Sequence, residues 1–248
     1  MDLLISAVPG LPEIARGADL AALIAGAVSA SGRAVERGDV FVVAQKIVSK
    51  AEGAVVRLDA VVPSAKAVEF AESCGKDPRV VEVILRESRR IVRMERGILI
   101  AETRHGFVCA HAGVDASNVE PGFVTLLPVD PDASAGRLHV ALSAAFGCPV
   151  GVIISDTFGR AWREGVVNVA LGVAGLQPLI DYRGGTDTFG RPLTSTIIAL
   201  ADELAAAAEI VTRKSAGMPV AIVRGAAEWA GEGNGQMLVR DASRDLFR

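Results

Sequence analysis

The stretch Gly151-Val152-Ile153-Ile154-Ser155-Asp156-Thr157-Phe158-Gly159-Arg160-Ala161-Trp162-Arg163 gathers the residue types from which chemistry can be built. An apolar, β-branched run that stops at an acidic residue and turns through Thr157 and Gly159 predicts a buried strand delivering Asp156 and Thr157 to a sheet edge. A carboxylate and a hydroxyl placed there suit a hard divalent cation. Arg160 and Arg163 follow, with Trp162 between them, and offer donors to a phosphate or a carboxylate.

A second acidic turn, Gly113-Val114-Asp115-Ala116-Ser117-Asn118, also follows a strand-like run. Asp-Ser-Asn clusters commonly hydrogen-bond their own backbone, which is the plainer reading of this turn. Two carboxylates brought together by a sheet also make a binuclear cation site, and Asp115 with Asp156 would be such a pair.

Positive charge comes from Gln45-Lys46-Ile47-Val48-Ser49-Lys50-Ala51-Glu52-Gly53, a polar segment with two lysines four apart at the end of a strand. Lysine is a point-charge partner for phosphate, although for Lys46 or Lys50 singly a solvated strand end is the better explanation. No Gly-x-x-x-x-Gly-Lys-Ser/Thr pattern occurs, so a nucleotide would not be held by a P-loop. The loop Leu11-Pro12-Glu13-Ile14, fixed by two prolines and Gly10, is either a turn or a ligand contact. His105 and His111 belong to no His-Glu-x-x-His motif and read as structural.

The elements that must position these residues are legible in outline. Leu3–Val8 and Val40–Ala44 read as strands, and Asp19–Ser29 as a helix with Leu20, Leu23, Ile24 and Val28 on one face. Residues 63–74 and 78–87 read as helices, the second with Asp77 as N-cap and Pro78 in its first turn. Gly97–Glu102 and Gly106–Ala110 read as a hairpin. Asp130-Pro131 opens a helix that reaches Phe146 and closes at Gly147. Val166–Val173 is a strand, Ser195–Lys214 an alanine-rich helix, and Pro219–Val223 a final strand. The polar tail from Glu228 is an end or a lid. Strands and helices mix without regular alternation, which favours α+β with mixed or antiparallel sheets over a Rossmann fold.

At 248 residues the chain can bury a large core. A net charge of −3 with one Tyr and two Trp excludes the basic field and aromatic platforms of a nucleic-acid binder. No apolar run approaches the roughly 20 residues that cross a bilayer, and no secretory signal is evident, so the cytoplasm is expected. Cys74, Cys109 and Cys148 are odd in number and far apart, and read as buried small apolar residues.

Taken together, Gly10-Leu11-Pro12-Glu13, the Gln45–Gly53 segment, Glu102-Thr103-Arg104-His105-Gly106, the Gly113–Asn118 turn and Ser155–Arg163 resemble the coenzyme F420-0:L-glutamate ligase family, from about Pro9 to Gly225. The chain also looks like the N-terminal half of a longer form with a nitroreductase-like second domain, which is not in this sequence. The resemblance implies one ligase domain over residues 1–248, with two intertwined α+β lobes as a variant of that layout. It implies a homodimeric enzyme that uses GTP to add L-glutamate to a deazaflavin precursor. It needs divalent metal, Mg²⁺ or Mn²⁺, with up to two ions per site, and a monovalent ion such as K⁺ is left open. Its nucleotide contacts fall on Leu11, Pro12, Glu13, Ile14, Gln45, Lys50 and Asn118, with Lys214 in a further phosphate-contacting turn, Thr212–Gly217. Its metal ligands fall on Asp115, Asp156 and Thr157, so Asp115, Asp156 and Lys50 form the expected catalytic set. Arg160 and Arg163 would hold a substrate carboxylate. No base for the glutamate amine is identified. The competing readings are a ligase with a different carboxylate acceptor and a GTP-binding regulator without turnover.

Overall fold

The computed structural model describes residues 2–246, apart from the side chain of Cys74, so the expected burial of Cys74 lies outside the described residues. The chain begins with strand β1 (Leu4–Ala7) and helix α1 (Leu20–Ala30), whose N-cap Asp19 accepts the Ala22 N–H. Strand β2 (Val40–Ala44) runs directly into helix α2 (Gln45–Glu52). A middle section follows: β3 (Val55–Arg57), α3 (Ala65–Cys74), α4 (Pro78–Glu87), β4 (Ser88–Glu95), β5 (Ile98–Thr103), β6 (Val108–Ala110) and β7 (Phe123–Thr125). Helix α5 (Pro131–Phe146), strands β8 (Gly151–Gly159), β9 (Val166–Ala174), β10 (Ile180–Asp181) and β11 (Ile197–Ile198), helix α6 (Leu200–Thr212) and strand β12 (Val220–Arg224) complete the order.

Five strands form a mixed sheet in the order β1-β12-β2-β8-β9. β2 and β8 are parallel, and the other neighbours are antiparallel. Phe41, Val43, Val152, Ile154, Val220 and Ile222 face a core shared with α1, α2 and α5. The alternate residues Val40, Val42, Ile153, Ala221 and Val223 face a second core built on α6. Both faces are therefore covered, which is why these strands are apolar throughout instead of alternating with polar residues. A third cluster, including Leu58, Ile84, Leu99, Ala101 and Val124, packs the middle section around its three-stranded sheet β4-β5-β6 and the β3–β7 pair. The fold is α+β, as expected.

One irregularity bears on the site. Ile154 pairs with Gly172 but Ser155 pairs with Ala170, so Leu171 is an extra residue in β9. A bulge of this kind bends its strand and turns the side chains beyond it, and here those are Ala170, Val169 and Asn168, the partners of Ser155, Asp156 and Thr157. Gly172 is required at the bend, because a Cβ there would stand 2.2 Å from the Pro131 carbonyl oxygen.

Several expectations need correction. The Gln45–Gly53 segment is a helix, not a solvated strand end: Ile47 and Val48 are buried in the core with Ala51 packed against it, and Gly53 closes the helix at φ +75°. Strand β8 does not stop at Asp156 but pairs with β9 as far as Gly159↔Val166. Helix α6 begins at Leu200, because Ile197 and Ile198 pair with Asp181 and Ile180 instead. Strand β4 was not foreseen, its charged residues hiding the strand pattern. Cys109 is buried, but Cys148 is only half-buried. The tail packs back through Gly235 N–H on the Asp132 carboxylate at 2.6 Å and Val239 against the Phe107–Leu171 cluster. The helices at 78–87 and 131–146 have the predicted bounds, with Asp77 and Asp130 as N-caps. The hairpin of β5 and β6 is also as read.

Candidate active site

Several connections meet at one end of the central sheet, and the topology forces them there. β2 and β8 lie side by side and parallel, with Ala44 opposite Ser155. Gln45 and Asp156 come next in each, at the carboxyl ends of parallel strands, where sheets of this kind bind ligands. β12 and β9 run the opposite way. The turn before β12 and the first residues of β9 therefore reach the same end. β1 is antiparallel to β12, which brings the loop after β1 there as well.

These connections enclose a cavity of about 390 Å³. It is lined by Leu11, Pro12, Glu13 and Ile14 of the loop after β1 and by Gln45, Lys46 and Lys50 of α2. Asp156 and Thr157 of β8, Asn168 of β9, Glu209 of α6, Lys214 and Asn118 also line it. Asn118 and Arg213 at its rim both hold φ +54°, a left-handed conformation that costs a non-glycine residue energy and is concentrated at ligand sites.

The acidic pair is electrostatically divided. Lys46 Nζ donates to Asp115 Oδ2 at 2.7 Å and to Ser117 Oγ at 2.6 Å, joining α2 to the middle section. The Ser117 N–H donates to Asp115 Oδ1 at 2.6 Å, so the turn is also the self-bonded one of the plainer reading. Burial opposes ionisation of Asp115, but the hydrogen bonds from Lys46 and Ser117 outweigh it and hold the carboxyl below its usual range. Among the described residues Asp156 has no such side-chain partner. Burial pushes its carboxyl up to about 6, and the negative Asp115 adds to this against weaker opposition from the Thr157 N–H, Lys46 and Lys214.

Gln45 is 1% exposed. Its Oε1 accepts the Ser49 hydroxyl at 2.8 Å, while its Nε2 has no partner among the described residues. An orphaned buried donor costs about 1–3 kcal/mol, and this one belongs to a residue that lines the cavity. Lys50 is ion-paired to Glu13, tying α2 to the loop after β1.

Thr157 Oγ1 donates to Asn168 Oδ1 at 2.8 Å, and Asn168 Nδ2 donates to Glu209 Oε2 at 2.9 Å. Among the described residues no group of three His, Cys, Asp or Glu side chains converges as a metal site. The donors present are two carboxylates and one hydroxyl, all hard oxygens, and the Asp156 carboxylate lacks an ion-pair partner among the described residues. That set fits a hard divalent cation with its remaining positions on phosphate or water.

Every residue expected at the nucleotide lines this cavity, as do Asp156 and Thr157; Asp115 reaches it through Lys46. Arg160 and Arg163 do not line it; they are exposed in the turn after β8, where Arg160 Nη2 donates to the Glu164 carbonyl at 2.7 Å. His105 is set apart, on the Val129 carbonyl at 3.1 Å. Sequence reasoning missed Asn168 and Glu209, and it weighed Lys46 only as a phosphate partner or part of a solvated strand end, not as the partner of Asp115. The two missed residues left signals: Asn168 interrupts an apolar strand, and Glu209 puts an acid in the last turn of a helix, where the dipole favours a cation.

The profile of the family described as F420-0:Gamma-glutamyl ligase matches residues 10–225, a span that holds every stretch lining the cavity. The chain belongs to that family. It is 46% identical over 252 residues to the coenzyme F420:L-glutamate ligase of Methanothermobacter thermautotrophicus, covering 100% of both chains. It is 48% identical over 251 residues to the protein of that name from Methanopyrus kandleri, covering 99% of this chain and 98% of the relative. The match to the Methanocaldococcus jannaschii protein of that name is 46% over 215 residues, 86% of each chain. As a family member the chain is an enzyme of the ligase class, and none of its described helices is long and apolar enough to cross a membrane.

Proposed function

We propose that the chain is a GTP-dependent ligase that adds L-glutamate to the deazaflavin precursor F420-0, and further γ-linked glutamates in turn, through an acyl phosphate. The observation that carries this reading is convergence: loop 11–14, helix α2, the Asp115 turn, the end of β8 and the 212–217 turn are far apart in sequence yet meet at one cavity. The names of the relatives support the choice of substrates.

A carboxylate is a poor electrophile and must be activated before an amine can attack it. The acceptor carboxylate oxygen attacks the γ-phosphorus of GTP, the bond to the bridging oxygen breaks, and GDP leaves. The glutamate amine then attacks the acyl carbon and phosphate departs. In the first step two anions approach each other, so positive charge must be fixed near both. Lys50 and Lys214 supply it from the cavity wall, and the Gln45 Nε2 donates to an acceptor atom of the nucleotide. Asp115, Asp156 and Thr157 would hold the divalent cation, Mg²⁺ or Mn²⁺, which when bound neutralises phosphate charge. Arg160 and Arg163, outside the cavity, are left for the carboxylates of an incoming or growing glutamate chain. The chain acts in the cytoplasm as a single ligase domain and pairs as a homodimer.

The deciding experiment follows GDP release from GTP with Mg²⁺ and L-glutamate, with and without the precursor, alongside product mass. Release that requires both substrates, with a mass gain of one glutamate, is expected. GTP binding without release in the full mixture would sink the reading.

A further inference from the structure

Thr157 presents a single hydroxyl to the cavity, and what that oxygen can bind depends on where its one proton goes. The proton goes to Asn168 Oδ1, 2.8 Å away. The two residues are register partners on β8 and β9, and Asn168 is 8% exposed. An asparagine amide can face either way, so something must choose its orientation. The Glu209 carboxylate does so: an ionised carboxylate only accepts, and Oε2 lies 2.9 Å from Asn168 Nδ2. A flipped amide would set oxygen against oxygen there. With Nδ2 committed to Glu209, Oδ1 must face Thr157, and the hydroxyl must donate to it.

We propose that Asn168 and Glu209 are positioning residues that fix the polarity of the Thr157 hydroxyl, so that its oxygen offers only lone pairs to the cavity. In that state it is a ligand for a cation and repels a bare phosphate oxygen. The relay thus decides that a cation, not a phosphate, sits against Thr157. Groups that orient a metal ligand from outside commonly change metal affinity 10–100-fold when removed. The proposal rests on the cation reading of Asp115, Asp156 and Thr157.

The test is Mn²⁺ binding to the full chain, followed by the loss of the free-ion electron paramagnetic resonance signal with a non-hydrolysable GTP analogue present. Folding of each variant is checked by circular dichroism and thermal melting. Asn168→Ala should weaken Mn²⁺ about tenfold. Glu209→Ala should weaken it by a smaller factor, and Glu209→Gln should restore it, because an amide oxygen still accepts from Asn168. Thr157→Val should weaken it as well, and adding Asn168→Ala to Thr157→Val should change nothing further, since the relay then has no hydroxyl to orient.

Additive losses in the Thr157→Val, Asn168→Ala double variant would overturn the relay, as would wild-type affinity in a folded Asn168→Ala protein. Equal losses in Glu209→Gln and Glu209→Ala would show that the Glu209 charge itself matters, which also overturns it. In each of these cases Asp156→Asn, by abolishing Mn²⁺ binding, shows that the cation reading stands. Failure of the wild-type chain to bind Mn²⁺ would remove that reading and the proposal together.

Discussion

Lys46 and Asp115 lie 69 residues apart in sequence, and the ammonium of one rests 2.7 Å from the carboxylate of the other. The contact joins the helix after β2 to the turn before β7. It holds one half of the acidic pair ionised, while the other half, Asp156, has no direct ion-pair partner among the described residues and feels Lys46 and Lys214 only at longer range. Lys46→Met should therefore leave two carboxylates facing each other with less positive charge between them. The expected result is a fall in kcat of ten- to a hundred-fold. The fold should lose about 1–2 kcal/mol, the cost of breaking a half-buried, charge-assisted hydrogen bond. Steady-state kinetics with urea denaturation measures both, and unchanged kcat would show the contact to be a tie and nothing more.

Asp156 offers a test in which activity and stability move in opposite directions. Its carboxyl is raised to about 6 in the folded chain from an ordinary value of 3.8. Between those values the folded state holds a proton that the unfolded state has lost. The group therefore favours folding most fully below about pH 4, and that contribution is lost as pH rises through about 6. At pH 7.5, without metal or nucleotide, the ionised carboxylate costs on the order of 2–3 kcal/mol. Asp156→Asn should remove that cost, raising the Tm of the ligand-free chain at pH 7.5 but not at pH 4, while abolishing turnover. A variant less stable than the parent at pH 7.5 would contradict the account of the charge.

Much of this fold could be read from local rules, and the failures have a common cause. Asp77-Pro78 and Asp130-Pro131 fix helix starts by chemistry that needs no distant partner, and both helices begin where expected. Gln45–Gly53 misled because its buried residues include Gln45 and Ser49, polar side chains that only a folded neighbourhood can hide. Strand β8 ran past Asp156 because β9, ten residues further on, supplies the pairing. The same limit applies to the site. Asp156, Thr157 and the lysines announce their chemistry by type, whereas Asn168 and Glu209 matter only through register and packing. Lys46 was in view from the start, but its partner could be named only once α2 was seen to face the Asp115 turn.

Gln45 should trade stability for affinity. Its Nε2 is buried and unpartnered among the described residues, so a ligand acceptor would relieve a standing cost. Gln45→Met keeps the volume and removes the orphaned donor, at the expense of the acceptor for Ser49. The ligand-free chain should hold its Tm within a few degrees or gain slightly, and GTP affinity should drop about tenfold, measured by calorimetric titration. Loss of stability without loss of affinity would mean that the amide serves the core rather than the nucleotide.

Asp39 is 1% exposed at the start of β2, and both its oxygens accept from Arg224 at the end of β12, at 3.0 and 2.7 Å. Asp39 Oδ2 also accepts the Glu36 N–H at 2.9 Å. These contacts sit at the opposite end of the strands from Gln45 and Asp156 and reach no cavity residue. Asp39→Ala removes the acceptor of two Arg224 hydrogen bonds and of the Glu36 N–H, while Arg224 keeps Glu36 and the Ala34 carbonyl as partners, a change that costs about 1–3 kcal/mol. Denaturation should show that loss in full. The fraction that stays folded should retain the parent's kcat and KM, because the clamp fixes the far end of β2 and β12 while the near end keeps its own hydrogen bonds. A kcat that fell with the stability would mean that the cavity depends on the strain of the whole sheet, not on the ends of β2 and β8 alone.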